Sequence, residues 1–370
     1  MDCFLKTTAL PEPMKKFNLT LILFLLYAVC MDGCAPREKT PLVVFAAGSL
    51  IQPFDDLEKA FEAQHPEIDV RNEYHGSIQV IRHATELHEP IDIVASADHA
   101  LIPQLMFQTL NPATGRPYAS ASIRFATNKL GVAYTEKSKY AAEITPQNWL
   151  EVLSRPDVRI GLADPRFDAA GYRFLMVLKL AELEASQPTL FFDFLDGQFR
   201  YPITARKDGE LNILHVPEIL ENKPGARILL RGSSVMLISL LQSGEIDYAL
   251  EYESVIQQHG FQMVSLPPEL NLGEPDQAAS YGRVEVQLDF RRFASVEPRF
   301  RGEQIGYGIT IPDSALHRKE AEAFIAFLLG PEGQQIMRQN HHPLLNPPRA
   351  VGYETLPASL QTLVQPEAAP

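Results

Sequence analysis

Two Gly-Ser pairs near the start of the chain have the residue types and the position to bind an anion. Gly48-Ser49 and Gly76-Ser77 each follow a short strand pattern and precede a helical pattern. The first N–H groups of a helix lack partners within the helix, and the helix dipole adds positive charge there. For one such turn an ordinary capped helix, with Ser49 at the N-cap, is the more common explanation. Because parallel strands deliver their following turns to the same edge of a sheet, we predict that Ser49 and Ser77 face one small ligand together.

Acidic residues at two later turns are the second candidate for chemistry. Asp164 and Asp168 follow the strand pattern at 160–163 and precede a helical pattern, and Glu251 with Tyr252 follows the apolar run 246–250. Taken singly, such residues are most often helix caps, turn residues or surface charges. The residues alone leave both interpretations open.

Other common kinds of chemistry are not indicated. The pairs His83/His88 and His341/His342 lack the spacing that places two imidazoles on one helix face, and we expect them to be exposed to solvent. The sequence has no G-x-S-x-G, H-E-x-x-H, P-loop or Rossmann glycine pattern. The signatures of the common enzyme classes are therefore missing.

The first 34 residues are typical of an export leader. Met14-Lys15-Lys16 and the apolar run 19–29 form a charged region and a hydrophobic region too short to span a bilayer comfortably, and the start site is Met1 or Met14. The end of this leader resembles a bacterial lipoprotein signal, which predicts lipidation of Cys34, with a plain secretory signal as the alternative. The leader contains all three cysteines, so we expect no disulfide framework and no later thiol nucleophile: Cys3, Cys30 and Cys34.

Strand and helix patterns alternate along the rest of the chain. The apolar run 43–45 is followed by a helical pattern with Phe54, Leu57 and Phe61 on one face, and similar pairs recur as far as residue 329. This alternation predicts the α/β fold class, and about 330 residues are more than one core usually organises. The net charge of −13 belongs to this part, because the charges of the leader cancel, and it argues against nucleic-acid binding.

Several runs of the sequence resemble the molybdate/tungstate-binding proteins of ABC importers, in their tungstate-binding branch. They include AAGSL (46–50), HGSIQVIRHATEL (75–87), IDIVASADHALIPQLM (91–106), RIGLADPRFDAAGYRFLMVLKLAE (159–182), LLQSGEIDYALEYESVIQQH (240–259) and YGITIP (307–312). The resemblance is spread over most of residues 42–340. It implies a two-lobed type II periplasmic-binding-protein fold, with the ligand cleft between the lobes.

The same resemblance implies the site residues. Ser49 and Ser77 would hold the oxygens of the oxyanion from one lobe. Asp168 and Glu251 would approach from the other lobe and bind the metal of the oxyanion itself. Tyr252, beside Glu251, would also bind the ligand.

Two departures from the family pattern affect these assignments. Asp168 is followed by Ala169-Ala170 where the family has Pro-Cys, so Asp164 is the second choice for the aspartate. Residues 186–230 are longer than the usual connection of the family, and we expect a surface excursion near the cleft.

We therefore predict a lipid-anchored, exported solute-binding protein, periplasmic or at the cell surface, that captures tungstate or molybdate for ABC permease subunits. It would not be an enzyme and would need no cofactor. Lobe 1 would comprise residues 41–124 and 283–370, and lobe 2 residues 125–282. One alternative keeps the fold and binds sulfate or another tetrahedral oxyanion, although two carboxylates would repel such a dianion. The other is a hydrolase with paired carboxylates, which leaves the two Gly-Ser turns unexplained.

Overall fold

The computed structural model describes residues 38–289 and 298–367. The predicted leader, with Cys34 and the other two cysteines, lies outside these residues. No helix in the described ranges combines the length and the apolar character needed to cross a membrane.

Within the described residues the chain forms three β-sheets. The seven-stranded sheet contains β1 (Thr40–Ala47), β2 (Ile68–His75), β3 (Ile93–Ser96), β4 (Ser122–Thr127), β14 (Gly306–Thr310), β15 (Leu344–Val351) and β16 (Gln365–Pro366). The five-stranded sheet contains β5 (Leu130–Tyr134), β6 (Ile160–Ala163), β9 (Ile228–Arg231), β10 (Tyr248–Tyr252) and β11 (Gln262–Ser265). The four-stranded sheet contains β7 (Thr204–Asp208), β8 (Leu211–Val216), β12 (Val284–Leu288) and β13 (Arg299–Arg301).

Helices alternate with these strands. The α-helices are α1 (Ile51–Gln64), α2 (Ser77–Thr85), α3 (Trp149–Ser154), α4 (Ala169–Ala185), α5 (Leu190–Leu195), α6 (Met236–Ser243), α7 (Glu253–Gln258), α8 (Ala278–Tyr281), α9 (Arg318–Leu329), α10 (Pro331–Gln339) and α11 (Ala358–Gln361). Short 3₁₀ turns occur at Gly48–Leu50, Pro275–Gln277 and Tyr353–Thr355, and a π-helical turn at Ile102–Met106.

The helical pattern after the first strand folds as its spacing predicts. Phe54, Leu57 and Phe61 are fully buried on one face of α1. The ring of Phe324 on α9 lies 6.1 Å from that of Phe54 and 5.2 Å from that of Phe61, measured between ring centroids. Burial of this aromatic face fixes α1 against the sheet, and α1 in turn fixes the turn that precedes it.

Parallel pairing places the candidate turns at two sheet edges. Strand β1 pairs in parallel with both β2 and β3, so the turns containing Ser49 and Ser77 follow neighbouring strand ends. In the five-stranded sheet β6 pairs in parallel with β9 and β10, so Asp168 and Glu251 also lie near neighbouring strand ends. The chain passes from the first sheet to the second between β4 and β5, at Asn128 and Lys129.

Residues 186–230 do more than form a surface excursion. They contribute α5, β7, β8 and the first part of β9. Strand β8 pairs in parallel with β12, which joins a segment predicted for lobe 2 to one predicted for lobe 1. The strands were missed because β7 is almost entirely exposed and carries no apolar alternation. The lobe limits themselves stay a prediction.

Candidate ligand-binding site

Both serines are buried, and neither hydroxyl caps its helix. Ser49 lies inside a 3₁₀ turn, and its Oγ accepts a hydrogen bond of 3.0 Å from the Tyr307 hydroxyl. Ser77 is the first residue of α2, and its Oγ accepts a hydrogen bond of 3.1 Å from the Ala97 amide. The expectation that Ser49 is an N-cap is wrong, because the 3₁₀ turn separates it from α1, which begins at Ile51.

Asp168 is the N-cap of α4 and is buried. Its Oδ1 accepts from the Ala170 amide at 2.8 Å, and its Oδ2 accepts from the Ser234 amide at 3.0 Å. Burial raises the pKa of Asp168, although these amides oppose the increase. Asp164, the second choice, pairs both of its oxygens with the Arg166 guanidinium, at 2.9 and 2.5 Å. Within the described residues, Asp168 is therefore the aspartate to which no cation is hydrogen-bonded.

Glu251 is completely buried, and its two carboxyl oxygens differ in their hydrogen bonding. Its Oε1 accepts from the Tyr252 amide at 2.7 Å, whereas its Oε2 forms no hydrogen bond of good geometry in the part of the chain that is described. The Ser234 side chain is nevertheless close enough to oppose the increase in the pKa of Glu251. Burial is the main cause that raises the pKa of Glu251 to about 8, and the charge of Asp168 adds to the increase. A buried carboxylate oxygen without a partner is costly unless a proton or a cationic centre meets it.

The serine turns and the carboxylate turns are in direct contact. A Cβ atom on Gly76 would lie 2.4 Å from the Phe167 carbonyl oxygen, to which the Ile78 amide donates a hydrogen bond of 3.1 Å. A Cβ atom on Gly48 would lie 2.9 Å from Val235, the neighbour of Ser234. The structure thus brings the strand-end turns of two different sheets together around one buried polar site.

Sequence reasoning missed four polar residues beside this site. Tyr307 accepts from the Asn128 amide group at 3.0 Å while it donates to Ser49, and Arg173 donates to the Tyr252 hydroxyl at 2.6 Å. Ser234 provides the amide bonded to Asp168. The missed residues are Asn128, Arg173, Ser234 and Tyr307. One signal in the sequence could have indicated Ser234, since Gly232-Ser233-Ser234 is a third Gly-Ser turn between a strand and a helix.

A second acidic cluster lies next to the site. Oxygen and nitrogen atoms of Asp98, His99 and Glu303 come within 4.8 Å of one another. Asp98 already pairs with Arg173 at 3.3 Å. Burial is the main cause that lowers the pKa of His99 to about 4, and the charge of Arg124 contributes to the decrease. Two guanidinium groups beside the cluster disfavour a cation, so we assign it to ion pairing rather than to metal binding.

One prediction about the histidines is wrong. His88 and His341 are exposed, as expected, whereas His83 is half-buried and His342 is only 1% exposed. Its ring packs edge-on against Tyr307, with ring centroids 5.3 Å apart, and its Nδ1 lies 3.0 Å from the Asn340 carbonyl oxygen. The long-range contact with Tyr307 cannot be read from local spacing.

The fold and the buried polar site between two sheets define the class of solute-binding proteins. The chain belongs to the family of bacterial extracellular solute-binding proteins, whose model matches residues 42–341. It is 35% identical over 370 residues to the molybdate/tungstate-binding protein WtpA of Thermococcus kodakarensis, covering 95% of this chain and 98% of that protein. The WtpA protein of Pyrococcus abyssi is 36% identical, with 93% of this chain and 96% of that protein covered.

A solved structure shows the same fold. The periplasmic molybdate-binding protein of Azotobacter vinelandii superposes with a TM-score of 0.51 at 16% identity, over 82% of this chain and 99% of that one. The predicted α/β, two-lobed type II periplasmic-binding-protein fold is confirmed.

Proposed function

We propose that this protein captures tungstate or molybdate outside the cytoplasm and delivers it to the permease subunits of an ABC importer. One observation carries the proposal: the two Gly-Ser turns pack against the segments that contain Asp168 and Ser234, next to the buried carboxyl groups of Asp168 and Glu251. Relatives named for molybdate and tungstate binding support the same ligand class.

The serine hydroxyls would donate to the oxygens of the oxyanion. A hydroxyl has one hydrogen to donate and two lone pairs to accept with. Ser49 Oγ already accepts from Tyr307, whose own oxygen accepts from Asn128, and Ser77 Oγ accepts from the Ala97 amide. The hydrogen of each serine is therefore left for a further acceptor, and an anionic oxygen is the strongest one.

The carboxylates would bind the metal of the oxyanion. Two buried carboxylates repel a dianion, and burial already raises the pKa of both. A hard, high-valent metal centre prefers oxygen ligands and can accept two more than the four of the free oxyanion, which turns the repulsion into bonding. Sulfur and phosphorus in sulfate and phosphate do not expand in this way. Sulfate offers neither carboxyl group a metal to bind, and a carboxyl group that ionises beside it meets a like charge, which is the reason to rank sulfate second.

No resident cofactor and no turnover are part of this proposal, since the oxyanion is the cargo.

The lipid anchor on Cys34 is proposed from the leader alone, and one acyl chain would give only marginal membrane binding without a second anchor. Mass spectrometry of the N-terminus tests the anchor: a diacylated Cys34 is expected, and an unmodified chain that begins beyond Cys34 would contradict it.

Calorimetric titration of the purified protein with tungstate, molybdate, sulfate and phosphate tests the function. We expect binding of the first two and at least a hundredfold weaker binding of the others, since unpaired buried charges cost roughly 3 kcal/mol or more. Tighter binding of sulfate would move the assignment to the alternative oxyanion. Hydrolysis of a glycoside or an ester would revive the enzyme hypothesis.

A further inference from the structure

Arg173 is a buried cation that the proposed binding chemistry does not use. It lies on α4, five residues after Asp168, and is 3% exposed. Its guanidinium donates to the Ala97 carbonyl oxygen at 2.7 Å and to the Tyr252 hydroxyl at 2.6 Å, and it lies 3.3 Å from Asp98 Oδ2. A charge at this depth is retained only where its partners are fixed.

The partners of Arg173 come from both sheets. Ala97 and Asp98 follow β3 of the seven-stranded sheet, whereas Tyr252 ends β10 of the five-stranded sheet. Helix α4 itself follows β6 of the five-stranded sheet. The bonds to Ala97 and Asp98 therefore cross between the sheets, and the bond to Tyr252 stays on one side.

Two of these partners, Ala97 and Tyr252, are also one bond away from a proposed ligand group. The Ala97 amide donates to Ser77 Oγ, and the Tyr252 amide donates to Glu251 Oε1. Tyr172, the neighbour of Arg173, adds a second contact across the sheets, since its hydroxyl donates to Asp98 Oδ2. Arg173 is thus fixed to the backbone segments that orient a serine from one side and a carboxylate from the other.

We infer that Arg173 is a positioning residue that holds the closed cleft and so sets how long the ligand stays bound. The inference rests on the proposed function, because it treats the contact between the sheets as the ligand-binding closed state of a hinged protein. Opening would break the bonds of Arg173 to Ala97 and Asp98 and leave its bond to Tyr252 intact. Its effect should therefore fall on dissociation of the ligand rather than on association.

A double-mutant cycle between Arg173→Met and Asp98→Asn tests this inference. The quantities to measure are the tungstate dissociation rate, the tungstate Kd and the melting temperature without ligand. We expect each single variant to speed dissociation at least about tenfold and the double variant to add little, because both remove the same contact. Arg173→Lys should restore part of the affinity, since an ammonium keeps the charge but not the fork of donors.

Lys179→Met is the matched control. Lys179 is buried on the same helix and pairs with Glu182. Its loss should lower the melting temperature and leave the tungstate Kd within about twofold, since no contact between the sheets is touched. Small-angle scattering adds a readout of closure: the decrease in radius of gyration on adding tungstate should be smaller in Arg173→Met than in Lys179→Met.

The results separate this inference from the proposed function. If the parent protein binds sulfate instead of tungstate, the same cycle is measured with sulfate and still tests Arg173. If Arg173→Met and Asp98→Asn lower the ligand-free melting temperature but leave dissociation and closure as in the parent, Arg173 is only a structural residue and the inference is wrong.

Discussion

Single side chains decide whether the oxyanion is held by hydroxyl donors. Ser49→Ala and Ser77→Ala each remove one donor to a charged acceptor, a bond worth roughly 1.5–3 kcal/mol, so tungstate affinity should fall about tenfold or more. Ser239→Ala is the control, because within the described residues that exposed hydroxyl donates only to the Met236 carbonyl oxygen of its own helix. Titration of all three variants with tungstate measures the effect. Unchanged tungstate affinity in both site variants would mean that the two serine hydroxyls do not bind the oxyanion.

The two carboxylates should control selectivity as well as affinity. Asp168→Asn and Glu251→Gln keep the shape of each side chain and remove its charge, so tungstate binding should weaken and its advantage over sulfate should narrow. Asp164→Asn is the matched control, because Asp164 is equally buried but pairs with Arg166. It should lower the melting temperature while the tungstate-to-sulfate ratio of Kd values stays near that of the parent. If the tungstate-to-sulfate ratio of Kd values changes most in Asp164→Asn, Asp164 rather than Asp168 binds the metal.

The sequence could indicate individual site residues but not the contacts between them. Asp168 and Glu251 stand at turns that local patterns reveal. The bonds that surround them join distant parts of the chain, such as Tyr307 with Ser49 and Arg173 with Ala97. No local periodicity encodes such pairs. The same limit hides the burial of His342, whose neighbour His341 is exposed.

Among the elements, the turn before α2 gives the sharpest test of the closed state. Gly76→Ala would place a Cβ atom 2.4 Å from the Phe167 backbone oxygen, which cannot rotate away as a side chain would. The φ of −63° at Gly76 suits alanine, so the turn itself should form. The added methyl group would obstruct only the contact between the two turns in the closed protein. We therefore expect tungstate binding to weaken about tenfold or more, while the ligand-free melting temperature stays nearly unchanged.

Gly232→Ala is the control for this prediction. A Cβ atom there would meet nothing within 4 Å, although Gly232 lies in the turn that leads to Ser234. Its tungstate affinity should match that of the parent. Equal affinity of Gly76→Ala and the parent, measured by the same titration, would mean that these two turns do not meet in the bound protein.

Elements with strong apolar periodicity were predictable, and elements without it were not. Helix α1 shows its buried face as Phe54, Leu57 and Phe61, and the last helical pattern, which ends at residue 329, is observed as α9 (Arg318–Leu329). The four-stranded sheet escaped prediction because β7 is exposed and β8 finds its partner β12 more than 60 residues later. Pairing over such distances depends on the assembled fold rather than on local propensity.

For the whole molecule, buried His342 predicts loss of stability in mild acid. Burial is the main cause that lowers its pKa to about 4; the Asn340 carbonyl oxygen opposes the decrease and the charge of His341 adds to it. Between the ordinary pKa of about 6.5 and pH 4 the unfolded chain binds a proton that the folded chain does not. The contribution of His342 to the free energy of unfolding should therefore be constant above pH 6.5 and fall below it, by at most about 1.4 kcal/mol per pH unit. Glu251, whose pKa is raised to about 8, contributes in the opposite direction, so the effect of His342 is the difference between the parent and His342→Gln.

Thermal unfolding between pH 8 and pH 4.5 measures this dependence. His342→Gln should lose part of the acid sensitivity, and His99, whose pKa burial also lowers to about 4, should account for a further part. His341→Gln, at an exposed position, should keep the pH profile of the parent. An identical profile for His342→Gln and the parent would mean that His342 does not titrate with unfolding.

The central claim for the molecule is that Asp168 and Glu251 bind the metal of the captured oxyanion. X-ray absorption at the tungsten edge, recorded on the tungstate-bound protein, tests it most directly because it counts the oxygen neighbours of the metal. Direct ligation predicts six oxygens, four short and two longer, and loss of one longer contact in Asp168→Asn or Glu251→Gln. A spectrum of four equal oxygens, as in free tungstate, would contradict metal ligation while leaving oxyanion capture in place.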